Sequence, residues 1–283
     1  MIQKFRDFDV IITDDSDIDN VENLVCSYDF QEIKFQYFRN FPALKSPENW
    51  NSSIRRAKGE YIKLLHHDDW FTYDFSLKIL VDLMENNNNA VICFVSSRNV
   101  DLESNSIVNI NKPSYNWIYQ ILTNPIELIS GNLIGSPSAT IYKNGLGIYY
   151  DKNLKWFVDV EFYINILNNF NGSIELNEID AISIGVGDSQ ISRECENNPF
   201  VIIFEFFYVL KKYKVKKILD NEVILKTTLN LFLRFNIKNI KKIRSLGYKE
   251  ELPVDINKVL ILIWKIKIKK RILKFLNQLK KTS

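Results

Sequence analysis

Residues Gly59–Phe71 read G-E-Y-I-K-L-L-H-H-D-D-W-F. The apolar run Tyr61–Leu65 has the length of a strand and stops abruptly at His66, His67, Asp68 and Asp69, and these two histidines are the only ones in the chain. Open α/β sheets bind ligands beyond the carboxyl ends of their strands. Adjacent carboxylates repel one another and call for water or a cation between them. The cluster has two readings, a divalent-metal site for a phosphate-bearing substrate or a solvated turn at a strand end.

Working outward, the same alternation recurs on both sides. Phe8–Thr13 is a short buried-strand pattern that runs into the acidic loop Asp14-Asp15-Ser16-Asp17, after which Asp17 or Asp19 is placed to cap a helix through Tyr28. Glu32–Phe38 alternates as a second strand. Ser46-Pro47 has the form of a helix start, Ser as N-cap and Pro at the first helical position, with the helix stopping at Gly59. After the central cluster come a helix from Asp74 to about Glu85 and a buried strand, Ala90–Val95. Residues 96–135 are polar and less regular, with helices near Trp117–Leu122 and after Pro125. Gly131–Lys143 is a Gly/Ser/Pro loop leading into a strand, either a plain turn or a place where backbone approaches a ligand. A helix from Asp159, a strand Ile182–Val186 and the loop Gly187–Gln190 complete the pattern. Strands alternating with helices predict an α/β fold with a mainly parallel sheet and helices on both faces. Each acidic cluster follows a strand, so Asp14, Asp15, Asp68 and Asp69 are expected to converge on one sheet edge. Asp159 interrupts an apolar stretch and either caps its helix or projects into a cleft as a base.

The chain has 283 residues, enough for one large domain and an appendage. Charge divides it: residues 1–199 carry 16 Lys/Arg against 28 Asp/Glu, residues 200–283 carry 21 against 6. From Pro199 onward the pattern is helical, and the tail places Ile261, Trp264, Ile268, Ile272, Phe275, Leu276 and Leu279 on one helical face among lysines. Such a helix suits an anionic membrane surface, or else is a packed helix with a solvated basic face. No nucleic-acid reader motif accompanies the charge, so no nucleic-acid partner is expected. Cys26, Cys93 and Cys195 are far apart and predict no disulfide framework, hence a reducing, cytoplasmic setting. The N-terminus lacks a signal-peptide apolar run, and no stretch is long enough to span a bilayer.

Four motifs in order carry a resemblance: D-D-S-D at Asp14–Asp17, N-S-S-I-R-R-A-K-G-E-Y-I-K-L-L-H-H-D-D-W-F at Asn51–Phe71, G-S-P-S-A-T-I-Y-K at Gly135–Lys143, and V-D-V-E-F-Y-I-N-I-L at Val158–Leu167. Over roughly residues 1–195 the chain resembles glycosyltransferase family 2, enzymes with the GT-A fold that use a nucleotide-sugar donor and a divalent metal. The resemblance implies that Asp14 and Asp15 contact the donor's base and ribose. It implies that Asp68 is the last carboxylate of the D-x-D motif holding Mn2+ or Mg2+, with His66 at that motif's first position and Asp69 beside it in the donor site. Imidazole is a manganese ligand, but His66 brings one negative charge fewer than the family's Asp. Asp159 matches the family's general base, preceded by Val158 rather than Glu, and the Gly135–Ser138 loop matches its acceptor side. The family's usual first strand has no counterpart, since the chain enters shortly before its D-D strand.

These features predict a GT-A-like domain at 1–195 and a basic helical region at 196–283. The expected function is inverting transfer from a UDP- or dTDP-sugar to a hydroxyl of a glycan or lipid-linked acceptor in bacterial surface polysaccharide synthesis. The expected location is the cytoplasm, at the inner face of the plasma membrane, with contact through residues 256–281. The alternative from another class is a truncated, non-catalytic binding or scaffolding protein. A phosphoester hydrolase built on the His-His-Asp-Asp cluster ranks below both, because such enzymes gather ligands from several segments.

Overall fold

A computed structural model describes residues 3–30, 33–170, 172–187 and 191–282, and the side chains of these except 173, 191–193 and 270–282. Contacts divide the chain into two compact units, Met1–Arg193 and Glu194–Ser283.

In the first unit β1 (Val10–Asp14), α1 (Asn20–Ser27) and β2 (Phe35–Arg39) form a parallel two-stranded sheet with its crossover helix. Helix α2 (Glu48–Arg56) then leads to β3 (Tyr61–Ile62), β4 (Asp69–Phe71), α3 (Ser76–Glu85), β5 (Ala90–Asp101), β6 (Ile107–Asn111) and α4 (Tyr115–Thr123). Tight turns at Pro125–Ser130 and Pro137–Ala139 precede β7 (Thr140–Lys143), α5 (Val158–Asn169), β8 (Ser173–Val186) and α6 (Ile191–Glu196). The larger sheet has the order β3-β7-β5-β8-β4, with β6 on β5.

The long strands β5 and β8 are parallel neighbours, while β3–β7, β5–β7, β5–β6 and β4–β8 are antiparallel. The α/β class is as expected, with strand directions mixed rather than mainly parallel. The difference lies in β4 and β7, which run opposite to the long strands β8 and β5 beside them. Strand β5 reads as a continuous apolar run because both its faces are covered. Cys93 and Val95 face Leu77, Leu80, Val81 and Met84 of α3, together with Ile141 of β7. The next residue of β7, Tyr142, points the other way and meets Phe162 of α5 edge-on at 5.3 Å.

Several local expectations change. The strand expected over Tyr61–Leu65 pairs only at Tyr61 and Ile62, because from Lys63 the chain bends into the loop that carries the histidines. Pro47, not Ser46, holds the N-cap position of α2, with no side-chain cap. Asp19 precedes α1 but spends its carboxylate on Arg39 rather than on the helix amides. Strand β8 starts nine residues before the expected Ile182, and β5 continues to Asp101. The start of the second strand at Glu32 and most of the Gly187–Gln190 loop lie outside the described residues. Among the described residues β1 has β2 as its one partner strand, and its Val10, Ile11 and Ile12 are half-buried. Phe5 and Phe8 pack against the α3 cluster, anchored where the Gln3 amide bonds Tyr73 O and receives Leu77 N–H.

The second unit holds α7 (Pro199–Lys212), α8 (Glu222–Arg234), α9 (Ile240–Ser245) and α10 (Ile256–Thr282). Asn198, Asn221 and Asn239 cap α7, α8 and α9 with side-chain oxygens on backbone N–H groups. Phe206, Phe207, Phe232 and Tyr248 are buried at its centre. No helix among the described residues is long and apolar enough to cross a membrane.

Candidate functional site

The loop after β3 is held from below. His66 N–H donates to Ser138 Oγ at 3.0 Å, and Ser136 Oγ lies 3.3 Å from Asp69 Oδ2. The Gly135–Ser138 loop is thus the floor under the histidine-aspartate cluster. On the other side the Gly185 amide reaches both Asp68 O (3.1 Å) and Asp69 Oδ1 (3.2 Å). A Cβ at Gly185 would stand 2.3 Å from Asp68 O, so only glycine permits this approach. Asp69 itself is buried as the first residue of β4.

His66, Asp68 and Asp69 each offer one ligand atom, and these atoms lie within 4.8 Å of one another. His66 Nδ1 stands 3.7 Å from Asp69 Oδ2, too far for a hydrogen bond, and its Nε2 is enclosed with no hydrogen-bond partner. Burial lowers the imidazole to about 4, outweighing the pull of Asp68, so the ring is neutral at physiological pH with a free lone pair. Burial raises Asp69 to about 6, and the Asp68 carboxylate adds to the rise against the Ser138 and Gly185 hydrogen bonds. A neutral imidazole with two carboxylates is a donor set that can hold a divalent cation, and an enclosed nitrogen without a hydrogen-bond partner suits such a ligand role. His67 is 96% exposed, its Nδ1 3.9 Å from Asp68 Oδ1.

Asp159 lies in the first turn of α5 and makes no cap: the N-cap position belongs to Phe157. Its Oδ1 is enclosed and lacks a hydrogen-bond partner. Burial, reinforced by the Asp69 charge, raises its carboxyl to about 7. Of the two readings open from the sequence, the cap is therefore set aside, and the carboxylate lies within electrostatic reach of Asp69.

Asp14 ends β1 on the two-stranded sheet and Asp15 follows it, whereas Asp69 belongs to the larger sheet. The expected convergence of all four aspartates on the edge of a single sheet is not observed, because among the described residues β1 pairs with β2 in a sheet separate from the larger one. Burial pushes Asp14 up, but donation from Ser16 Oγ and N–H and from Tyr37 OH (2.7 Å) brings it below the usual carboxylate range. Asp15 receives Asn40 Nδ2, Leu44 N–H and Lys45 N–H, which pins the 40–45 loop. Helix α2 spans the distance between the two clusters. Asn49 exchanges bonds with Thr13 and Asn40, and the next residue, Trp50, stacks on His66 at 4.6 Å and 28°.

Sequence reasoning missed Trp50, Gly185 and Lys63. Lys63 was visible as a charge interrupting an apolar run; its ammonium donates to Leu64 O at 2.8 Å and to Ser138 O. Burial lowers it to about 7 against the opposing pull of Asp69. Trp50 and Gly185 gave no local signal, since their partners lie far along the chain.

A family model described as Glycosyl transferase family 2 matches residues 2–143. An uncharacterized glycosyltransferase of Rickettsia typhi is 24% identical over 231 residues, spanning 80% of this chain and 68% of the relative. Among solved structures, S. aureus TarS 1-349 in complex with UDP-GlcNAc superposes with a TM-score of 0.59 at 16% identity, covering 92% of this chain and 72% of that one. The same fragment in complex with UDP gives 0.53 at 17% identity, covering 88% and 69%. The likeness establishes a GT-A-like fold.

Proposed function

The chain belongs to glycosyl transferase family 2 and is a glycosyltransferase, and from that premise we propose inverting transfer from a nucleotide-sugar donor to a hydroxyl of a glycan or lipid-linked acceptor. The observation that carries the proposal is the half-buried Asp159 carboxylate, whose Oδ1 is enclosed without a hydrogen-bond partner and which lies within electrostatic reach of Asp69.

In this reading His66, Asp68 and Asp69 hold a divalent cation. A bound cation supplies charge neutralisation for the donor diphosphate. Asp14 and Asp15 shape the base and ribose end of the donor pocket, Asp15 through the 40–45 loop that it pins. Asp159 accepts the proton of the acceptor hydroxyl as that oxygen bonds to the anomeric carbon. The bond from the anomeric carbon to the diphosphate breaks, the electron pair leaves with the nucleotide, and the configuration inverts. A carboxyl raised to about 7 is matched to proton abstraction near neutral pH. A UDP-sugar is the favoured donor and a dTDP-sugar the second choice, since TarS is seen with UDP-GlcNAc and with UDP. The proposed setting is bacterial surface polysaccharide synthesis at the cytoplasmic membrane face, a reading supported by the basic charge of the second region. There the region from 196 onward serves for docking, through residues 256–281.

Calorimetric titration of UDP, dTDP and GDP, with and without Mn2+, tests the donor site. We expect metal-dependent UDP binding that Asp68→Ala weakens at least tenfold. Binding that is indifferent to both metal and Asp68 in a folded protein overturns the assignment.

A further inference from the structure

Helix α10 has two apolar faces. One is packed: Ile256, Val259 and Ile263 are 4%, 0% and 2% exposed. The other is not: Ile261 is 53% and Trp264 64% exposed, with Val254 just ahead of the helix at 69%. Lys258, Lys265 and Lys269 are exposed on the same helix. Beside the outer face, Lys238, Asn239, Ile240 and Lys241 complete a groove of about 550 Å3 with Asn257, Leu260, Ile261 and Trp264. No acidic side chain lines it. A solvated face needs lysines but has no use for an outward Trp and Ile. A protein core needs the Trp and Ile but not lysines free of acidic partners.

We propose that the α10 outer face and the Lys238–Lys241 segment dock on a bilayer surface rich in anionic phospholipid. Trp264 and Ile261 enter the headgroup boundary while Lys238, Lys241, Lys258 and Lys265 meet lipid phosphates. The argument is charge complementarity combined with the chemistry of the exposed apolar pair: indole rings favour the boundary where one end is apolar and the other wet, and lysines flank it in water. The region from residue 200 carries 21 Lys/Arg against 6 Asp/Glu, so long-range attraction has the same sign as the local contact. The inference deepens the membrane contact proposed above, and its test reads docking separately from sugar transfer.

The test is co-sedimentation of the full chain with phosphatidylcholine vesicles, with and without about one third phosphatidylglycerol, alongside tryptophan emission. We expect binding to the anionic vesicles, weak binding to the neutral ones, and a blue shift that vanishes in Trp264→Phe. A triple Lys238→Gln/Lys241→Gln/Lys265→Gln variant should lose about a hundredfold in partition, about fivefold per lysine. Raising salt to 0.5 M should do likewise, because it screens the attraction to a few ångströms. Ile261→Ser/Trp264→Ser, at exposed positions, should keep its melting temperature and its turnover of sugar nucleotide in the absence of vesicles, yet release the membrane. Equal binding to both vesicle types, or anionic binding that Ile261→Ser/Trp264→Ser leaves intact, overturns the proposal. So does a concentration-dependent dimer that the same variant abolishes, since the face would then belong to a second copy of the chain. Loss of vesicle binding with transfer intact would leave the proposed function standing, and docking without transfer would leave this inference standing.

Discussion

Replacing Asp159 by Asn should make the protein more stable and less active, with the stability gain appearing only at higher pH. Burial with the nearby Asp69 charge raises the Asp159 carboxyl from 3.8 to about 7. A folded-state pKa above the unfolded one means the native state holds the proton more tightly. The stability that proton confers is complete below about pH 4 and is lost as pH climbs through 7. Three pH units correspond to a ceiling on the order of 4 kcal/mol. Asp159 is half-buried rather than sealed, and solvent screening reduces this to about 2 kcal/mol. Asparagine keeps the shape and never ionises. Metal-free melting in chelator should therefore show Asp159→Asn above the wild type by about 4–8 °C at pH 8 for a unit of this size, with little difference at pH 4.5. Turnover should fall by about 10^2 to 10^4, the usual worth of a positioned base, while UDP affinity is kept. In the wild type, kcat/KM should rise tenfold per pH unit up to about pH 7 and then level off. A melting gain equal at both pH values, or one larger at pH 4.5, would show that Asp159 is not desolvated as described. An Asp159→Asn protein with full turnover would remove it from the chemistry.

Two further substitutions probe the frame of the site. In Gly185→Ala the new Cβ would stand 2.3 Å from Asp68 O and 2.9 Å from Leu102 Cδ2, so the Asp68 backbone must retreat by about 1 Å to reach an ordinary contact. We expect about 1–3 kcal/mol of destabilisation by chemical denaturation and at least tenfold weaker Mn2+ binding; unchanged Mn2+ affinity would separate Gly185 from the site. Trp50→Ala removes the stack on His66 and the edge contact with Tyr150 at 5.2 Å, and should cost about 3 kcal/mol and loosen divalent binding. Trp50→Phe should restore most of both, and equal metal affinity across all three proteins would show that the stack does not orient the imidazole.

The candidate site was legible where its signal is local. Tyr61–Leu65 ending in His66-His67-Asp68-Asp69 is a run and a stop, and the apolar stretch holding Asp159 shows a charge where none is needed for packing. The length and composition of a stretch announce such features without reference to the rest of the chain. So did the alternation of strands and helices, because backbone period is set by neighbours one to four residues apart. The mixed strand directions were not legible. β5 meets β8 some 80 residues later, at Ala90 with Ser173, and nothing in either run says which edge its partner will take. Nor could the sequence say which of His66 and His67 turns inward, since adjacent side chains differ only in what the folded chain lays over them: Trp50 and Ser138 for His66, solvent for His67.

What the sequence by itself determined is the inventory: an α/β domain, a basic helical region, and acidic groups following strands. What tertiary structure decided is the state of those groups. The same carboxylate that Asp14 holds low through Ser16 and Tyr37 is held high at Asp69 and Asp159. Ionisation depends on the dielectric and the hydrogen-bond donors within a few ångströms, and segments remote in the chain bring those together.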